Sequence, residues 1–301
     1  GFPEVAPRSA IPNFKTTMGA ACSRPADAAQ APELVTTAPP AHSNAGVPRA
    51  APTAVPATSG VNARPAALAG EATPAPPAGN ASNDERVVEA AAPVAPVVPH
   101  SPPRIAIIYY STYGHIRLLA LAVQAGVESA GGKADLLQCA ETLPDGVLAK
   151  MGAPPKSDDP IVTTDVLAGY DGFLFGLPGR FGMFPAQFKT FWDSTGSLWT
   201  KGRLIGKPYG TFFSTGQQGG GQETLGLATV PQMAHHGMMY VPLGYQDPRV
   251  FSNSEVHGCS PYGAGTIAGG DGSRMPSELE LGVACTQGAS FARTAALLAA
   301  A

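Results

Sequence analysis

The stretch Arg104-Ile105-Ala106-Ile107-Ile108-Tyr109-Tyr110-Ser111-Thr112-Tyr113-Gly114-His115-Ile116 decides the fold. Its first seven residues are an apolar run with no polar alternation, the pattern of a parallel strand buried on both faces. A polar turn, 111–115, follows. Residues 116–130 then place Ile116, Leu119, Ala120, Val123 and Val127 at helical spacing, and Gly131-Gly132 ends the segment. Further strands are expected at 133–139, 171–177, 209–214 and 238–241. Helices are expected at 186–194, with Phe188, Phe191 and Trp192 on one side, and at 222–236, where Pro231 kinks or interrupts the helix. Ser277-Glu278-Leu279-Glu280 is a capping box that opens a last helix to about Leu298. Residues 140–160, with Pro144, Pro154 and Pro155, read as irregular. Strands alternating with helices and no internal repeat predict an α/β fold over 104–301, a doubly wound five-stranded parallel sheet.

Residues 1–103 are of another kind. The 80 residues 24–103 hold 23 Ala and 16 Pro and no Phe, Tyr, Trp, Ile, Met or Cys. Such a segment buries too little apolar area to offset its ordering entropy, so a disordered tether is expected. Before it, Met18-Gly19-Ala20-Ala21-Cys22-Ser23 fits the myristoylation pattern at Gly19, with Cys22 placed for palmitoylation. That reading requires Gly19 to be the mature N-terminus. It would make the protein cytoplasmic and peripheral on the cytoplasmic face of the plasma or ciliary membrane, since two acyl chains hold where one binds marginally. With 19 Lys+Arg against 22 Asp+Glu, the chain lacks the basic excess of a nucleic-acid binder. No apolar run is long enough to span a bilayer. The four cysteines, Cys22, Cys139, Cys259 and Cys285, show neither CxxC nor metal-type spacing. They are read as free thiols in a reducing compartment, and no metal site is expected.

In open parallel sheets, ligands bind outside the carboxyl ends of the strands. Three loops there carry chemistry. Ser111, Thr112, Tyr113, Gly114, His115 and Ile116 join strand one to helix one. Their hydroxyls and helix-start N–H groups would wrap a phosphate without Lys or Arg. The loop matches neither GxxxxGK[ST] nor GxGxxG, which disfavours nucleoside triphosphate and NAD-type binding. His115 is expected to cap the helix or face solvent. After strand three, Gly179, Arg180 and Phe181 suit a planar ligand laid across backbone, although Phe181 also fits a core residue. After strand four, Ser214, Thr215, Gly216, Gln217, Gln218, Gly219 and Gly220 let backbone approach a flat ligand closely. The three loops together describe a flavodoxin-like FMN site.

The pattern goes further. Tyr109-Tyr110-Ser111-x-Tyr113-Gly114-His115-Ile116, Arg180-Phe181-Gly182, Ser214-Thr215-Gly216, Ala234-His235-His236-Gly237-Met238 and the glycine-rich 263–274 resemble, in order and spacing, the WrbA family of flavodoxin-like NAD(P)H:quinone oxidoreductases. The resemblance covers 104–301. It implies FMN as cofactor, NADH or NADPH as co-substrate, a quinone as acceptor and a homotetramer. It implies the phosphate on 111–116, the flavin along Gly179, Arg180 and Phe181, and 214–220 closing the other side. His235 would reach the flavin and, with Arg180, stabilise its reduced form. Tyr113 would stand where the nicotinamide nucleotide enters, and Trp199 would line the quinone site across a subunit boundary. His236 is read as structural, and Asp271 as a turn residue or subunit contact. Two departures are visible: bacterial members commonly have Thr at Gly179, and the Gln217-Gln218 stretch is one residue longer than in some of them. A one-electron flavodoxin-type carrier and a membrane-tethered flavin-binding regulatory protein are the alternatives.

Overall fold

The computed structural model describes residues 101–300. The tether and the acylation motif at Gly19 and Cys22 lie outside the described residues. Among the described residues six strands form one parallel sheet: β1 (Arg104–Tyr109), β2 (Lys133–Gln138), β3 (Gly172–Pro178), β4 (Pro208–Thr215), β5 (Met239–Tyr240) and β6 (Gly265–Ile267). The order is β2-β1-β3-β4-β5, with β6 also on β4. Ile107 sits between Leu136 of β2 and Leu174 of β3. β1 after Arg104, nearly all of β3 and all of β4 are buried, as their unbroken apolar runs require. Edge strand β2 alternates exposed and half-buried positions before its last two residues.

The fifth strand position is filled in two pieces. β5 pairs with Pro208 and Tyr209 at one end of β4, and β6 with Phe213, Ser214 and Thr215 at the other. The excursion 241–264 separates them. Five strand positions thus hold as expected, but a sixth strand must be added, because a three-residue strand has no periodicity to read.

Among the described residues there are seven α-helices: α1 (His115–Ser129), α2 (Asp145–Lys150), α3 (Thr164–Leu167), α4 (Ala186–Asp193), α5 (Gly196–Thr200), α6 (Gln222–His235) and α7 (Glu278–Ala299). On one face α1 and α7 cover Ile105, Ile107, Leu174 and Phe212. On the other, α4 and α6 cover Ile108, Phe173, Phe175 and Phe213. There Phe175 meets Phe188 at 5.3 Å, Trp192 at 5.4 Å and Tyr209 at 5.6 Å between ring centroids. Phe191 is half-buried beside them. α6 continues through Pro231, which stands on its exposed side.

The capping box of α7 is formed, and Glu280 does more than cap. Its carboxylate is fully buried and accepts from the Ser277 N–H at 2.8 Å, the Thr266 hydroxyl at 2.8 Å and Arg274 Nη1 at 3.0 Å. One buried acid therefore ties α7, β6 and the segment after β6 together.

His236 is structural, as read. Thr195 donates its hydroxyl proton to the Trp192 carbonyl at 2.6 Å, so His236 Nε2, 3.1 Å from the same oxygen, is the donor to it. Cys139 and Cys259 carry free thiols.

Candidate functional site

A cleft of about 710 Å³ opens at the C-terminal ends of β1, β3, β4 and β6. The β1–α1 loop forms its first wall through Ser111, Thr112, Tyr113, His115 and Ile116. Gly114 makes the turn with φ of 95°, a left-handed conformation, and donates its N–H to Ser111 Oγ at 3.0 Å. α1 has no side-chain cap and no acidic residue in its first turn, so the positive end of its dipole faces the loop unopposed. Thr112 is buried. Its hydroxyl accepts from Arg180 Nη2 at 3.0 Å and lies 3.5 Å from the Tyr110 hydroxyl. Tyr113 donates its hydroxyl to the Met151 carbonyl at 3.3 Å, joining the loop to the 151–155 stretch of the cleft. His115 does not face solvent: it is buried, and Nε2 meets the Arg274 carbonyl at 3.1 Å. The helix start is roofed by the segment after β6, which the local sequence does not reveal.

The second wall is Pro178, Gly179 and Arg180. The N–H of Gly179 donates to the Ser214 carbonyl at 2.7 Å. A Cβ at Gly179 would meet Thr215 Cγ2 at 2.9 Å, so the space of a Thr side chain here is already filled. Arg180 and Met183 close a two-residue hairpin with reciprocal bonds of 2.8 and 3.0 Å. Phe181 (φ 52°) and Gly182 (φ 78°) form its tip, the conformation of a type I′ turn. Phe181 is fully exposed there, neither core nor cleft wall. An aromatic residue at positive φ is strained, and such strain concentrates at functional sites.

Ser214, Thr215 and Gly216 make the third wall. Gln222 Nε2 pins it by donating to Thr215 Oγ1 at 3.1 Å and to the Thr266 carbonyl at 2.9 Å. Gln217, Gln218 and Gly219 are exposed, and with Gly220 they form a turn outside the cleft lining. A fourth wall was not anticipated: Ala268, Gly269, Gly270, Asp271 and Gly272. A Cβ at Gly216 would lie 3.6 Å from the Gly269 carbonyl oxygen, so the third and fourth walls adjoin as bare backbone along one side of the cleft. Asp271 accepts from the Ser273 N–H at 3.0 Å and its hydroxyl at 2.8 Å, in keeping with a turn residue. Its glycine neighbours directly after β6 belong to the glycine-rich 263–274 quoted for the resemblance, but no place in the cleft was read from them.

Behind the first wall stands a polar cluster in the segment read as irregular. Glu141 accepts from the Tyr110 hydroxyl at 2.8 Å, Gln187 Nε2 at 2.9 Å and Lys156 Nζ at 2.7 Å, and from the N–H groups of Thr142 and Leu143. Burial would raise its pKa, but these hydrogen bonds outweigh burial and hold the carboxyl down at about 2.

Trp199 and His235 are not brought to the cleft of their own chain. α5 precedes the start of β4, and α6 ends just before β5. Both residues therefore lie at the N-terminal edge of a parallel sheet whose cleft is at the other edge. Gly206 N–H donates to the Gly237 carbonyl at 2.8 Å, which holds the two segments together there. Trp199 is 58% exposed and His235 is exposed.

The cleft thus offers hydroxyls and an uncapped helix N-terminus at one end, and flat backbone walls with one guanidinium along its length. This suits a phosphate ester of a planar ring. Residues 103–246 match the family model of the NADPH-dependent FMN reductases. The NAD(P)H quinone oxidoreductase PST1 of Candida albicans is 56% identical over 64% of this chain and 96% of its own length. The quinone-oxidoreductase QR2 of Triphysaria versicolor is 55% identical over 62% of this chain and 91% of its own. A solved WrbA-like flavodoxin from Agrobacterium tumefaciens is 23% identical over 64% of this chain and 97% of its own, at a TM-score of 0.44. Because this chain matches such close relatives over nearly their whole length, it belongs to the NAD(P)H quinone oxidoreductase family, on a flavodoxin-like fold.

Proposed function

We propose that the protein is an FMN-dependent NAD(P)H:quinone oxidoreductase whose cofactor lies in the cleft at the strand ends. The observation that carries this reading is the convergence of the loops after β1, β3 and β4 on one cavity of about 710 Å³. The uncapped α1 and the Ser111 and Thr112 hydroxyls fit the phosphate, and the bare Gly179, Gly216 and Gly269 backbone fits the ring. Bound there, FMN supplies hydride transfer from the nicotinamide to the quinone.

The chain's own residues bind and orient. Residues 111–116 hold the phosphate; Gly179, Arg180, Ser214, Thr215 and Gly216 flank the flavin. Thr112 holds the Arg180 guanidinium, which stabilises negative charge gained on reduction. Tyr113 stands at the Met151 side, where the nucleotide enters.

Trp199 and His235 act in this reading from a neighbouring copy of the chain, within a homotetramer. Supporting it, Trp199, Ile205 and Met239 are 58%, 69% and 40% exposed, an apolar group at the edge away from the chain's own cleft. The exposed Phe181 and residues 217–220 fit the same kind of contact. Acylation at Gly19 and Cys22 would hold the enzyme on the cytoplasmic face of a membrane, near lipid-soluble quinones. Among the described residues, no helix is long and apolar enough to cross a membrane.

The test is turnover. The purified full chain, given FMN and NADPH, is expected to reduce benzoquinone in a stoichiometry of one NADPH per quinone. Arg180→Ala should lower kcat/KM by about a hundredfold, the scale of removing one preorganised charge stabiliser. NADPH left unoxidised in the presence of FMN and quinone would overturn the reading.

A further inference from the structure

We infer that Lys156 is a positioning residue for the phosphate end of the cleft, on the reading that FMN binds there. Lys156 does not line the cleft, although its neighbours Pro154 and Pro155 do. Its ammonium reaches the phosphate loop from outside. Nζ donates to the Ser111 carbonyl at 3.0 Å, pairs with Glu141 at 2.7 Å and stands 4.4 Å from the centroid of the Tyr110 ring. Three partners for three protons leave the ammonium little freedom. Glu141 is itself fixed by Tyr110, Gln187 and two backbone N–H groups. The lysine is therefore held by a built cluster, unlike a surface cation free to change partners.

Two consequences bear on the ligand. The first is geometric. The Ser111 carbonyl and the Thr112 N–H belong to one planar peptide unit and point in opposite directions. By gripping the carbonyl from outside, Lys156 turns that N–H inward, toward the cavity that Ser111 and Thr112 line. The bond from the Gly114 N–H to Ser111 Oγ at 3.0 Å fixes the other end of the same turn. The second is electrostatic. Among the cleft-lining residues Arg180 is the one guanidinium or ammonium, and Lys156 adds a cation one carbonyl away from the loop. Glu141 offsets part of that charge, yet it is the lysine that touches the loop. Sequence reasoning gave the phosphate no basic residue; the structure puts one directly behind its site.

A residue that acts through the phosphate loop should matter to FMN and not to riboflavin, which has the same ring and no phosphate. The experiment titrates the purified full chain with each flavin, following quenching of flavin fluorescence, for wild type, Lys156→Met and Lys156→Arg, with thermal unfolding of each as a check on folding. Lys156→Met is expected to raise the Kd for FMN about tenfold, the scale of one charge-assisted hydrogen bond. The Kd for riboflavin should change less than about twofold, and Lys156→Arg should recover most of the FMN affinity. Should Lys156→Met not fold, Lys156→Gln gives the same readout, since it keeps a donor and drops the charge. Equal losses for both flavins, or no loss for either, would overturn the inference while leaving the function reading intact. A wild-type protein that binds no FMN would take both down.

Discussion

Gly288→Val is expected to lower the stability of the domain by about 3 kcal/mol or more, because the contact it breaks is backbone on backbone. A Cβ at Gly288 would stand 2.1 Å from the Val123 carbonyl oxygen and 3.0 Å from the Val127 nitrogen. A Cβ at Gly126 would stand 2.0 Å from the Cys285 carbonyl oxygen. The two glycines face each other's helices, so α1 and α7 pack closer than side chains allow. No rotamer relieves such a clash; the helices must separate and open gaps above Ile105, Ile107 and Leu174. Typical domains have about 5–15 kcal/mol in hand, so the variant should unfold at much lower urea. Gly126→Val should behave alike, and the double variant should lose less than twice as much, since the first substitution already parts the helices. A midpoint shift of less than about 0.5 kcal/mol equivalent would mean that this packing is looser than described.

Gly114→Val is expected to weaken FMN binding about a hundredfold at a modest loss of stability. The glycine has φ of 95° and no heavy atom within 4 Å of a Cβ, so nothing clashes and the penalty is conformational. A β-branched residue at that φ costs about 1–3 kcal/mol, and the chain relieves it by rotating the turn. Rotation breaks the bond from the Gly114 N–H to Ser111 Oγ and misdirects the N–H groups that open α1. Losing even one or two charge-assisted bonds to a phosphate should raise the Kd for FMN about a hundredfold. Gly131→Val is the control. Gly131 has φ of 83° and equally open surroundings, but sits at the far end of α1. The two variants should lose similar stability, and only Gly114→Val should raise the Kd for FMN.

The sequence was legible where burial is uniform. β1, β3 and β4 fall within about two residues of the expected runs, because strands buried on both faces write themselves as continuous apolar segments. α1 buries Ile116, Leu119, Ala120, Val123 and Val127, the five positions its spacing picks out. The capping box of α7 was readable because its reciprocal bonds involve residues three apart. What stayed hidden is decided by contacts distant in sequence. α2, α3 and α5 are 6, 4 and 5 residues long, too short for a period to show. β6 exists because β4 offers an open edge beyond β5. The first three cleft walls could be read because each follows a visible strand; the fourth follows β6 and was lost with it. Lys156 lies 45 residues from Ser111 in a proline-rich stretch without pattern, so its grip could not be anticipated. His235 and Trp199 were placed by resemblance, and the topology shows why their own chain cannot deliver them to its cleft.

Whether the turns after β1, β3 and β4 seat FMN is decided by a fluorescence titration of the purified full chain with FMN. Saturable quenching is expected, with one FMN per chain and a Kd in the micromolar range or tighter. Flavin that stays fluorescent and dialyses away freely from a folded protein would contradict such a seat.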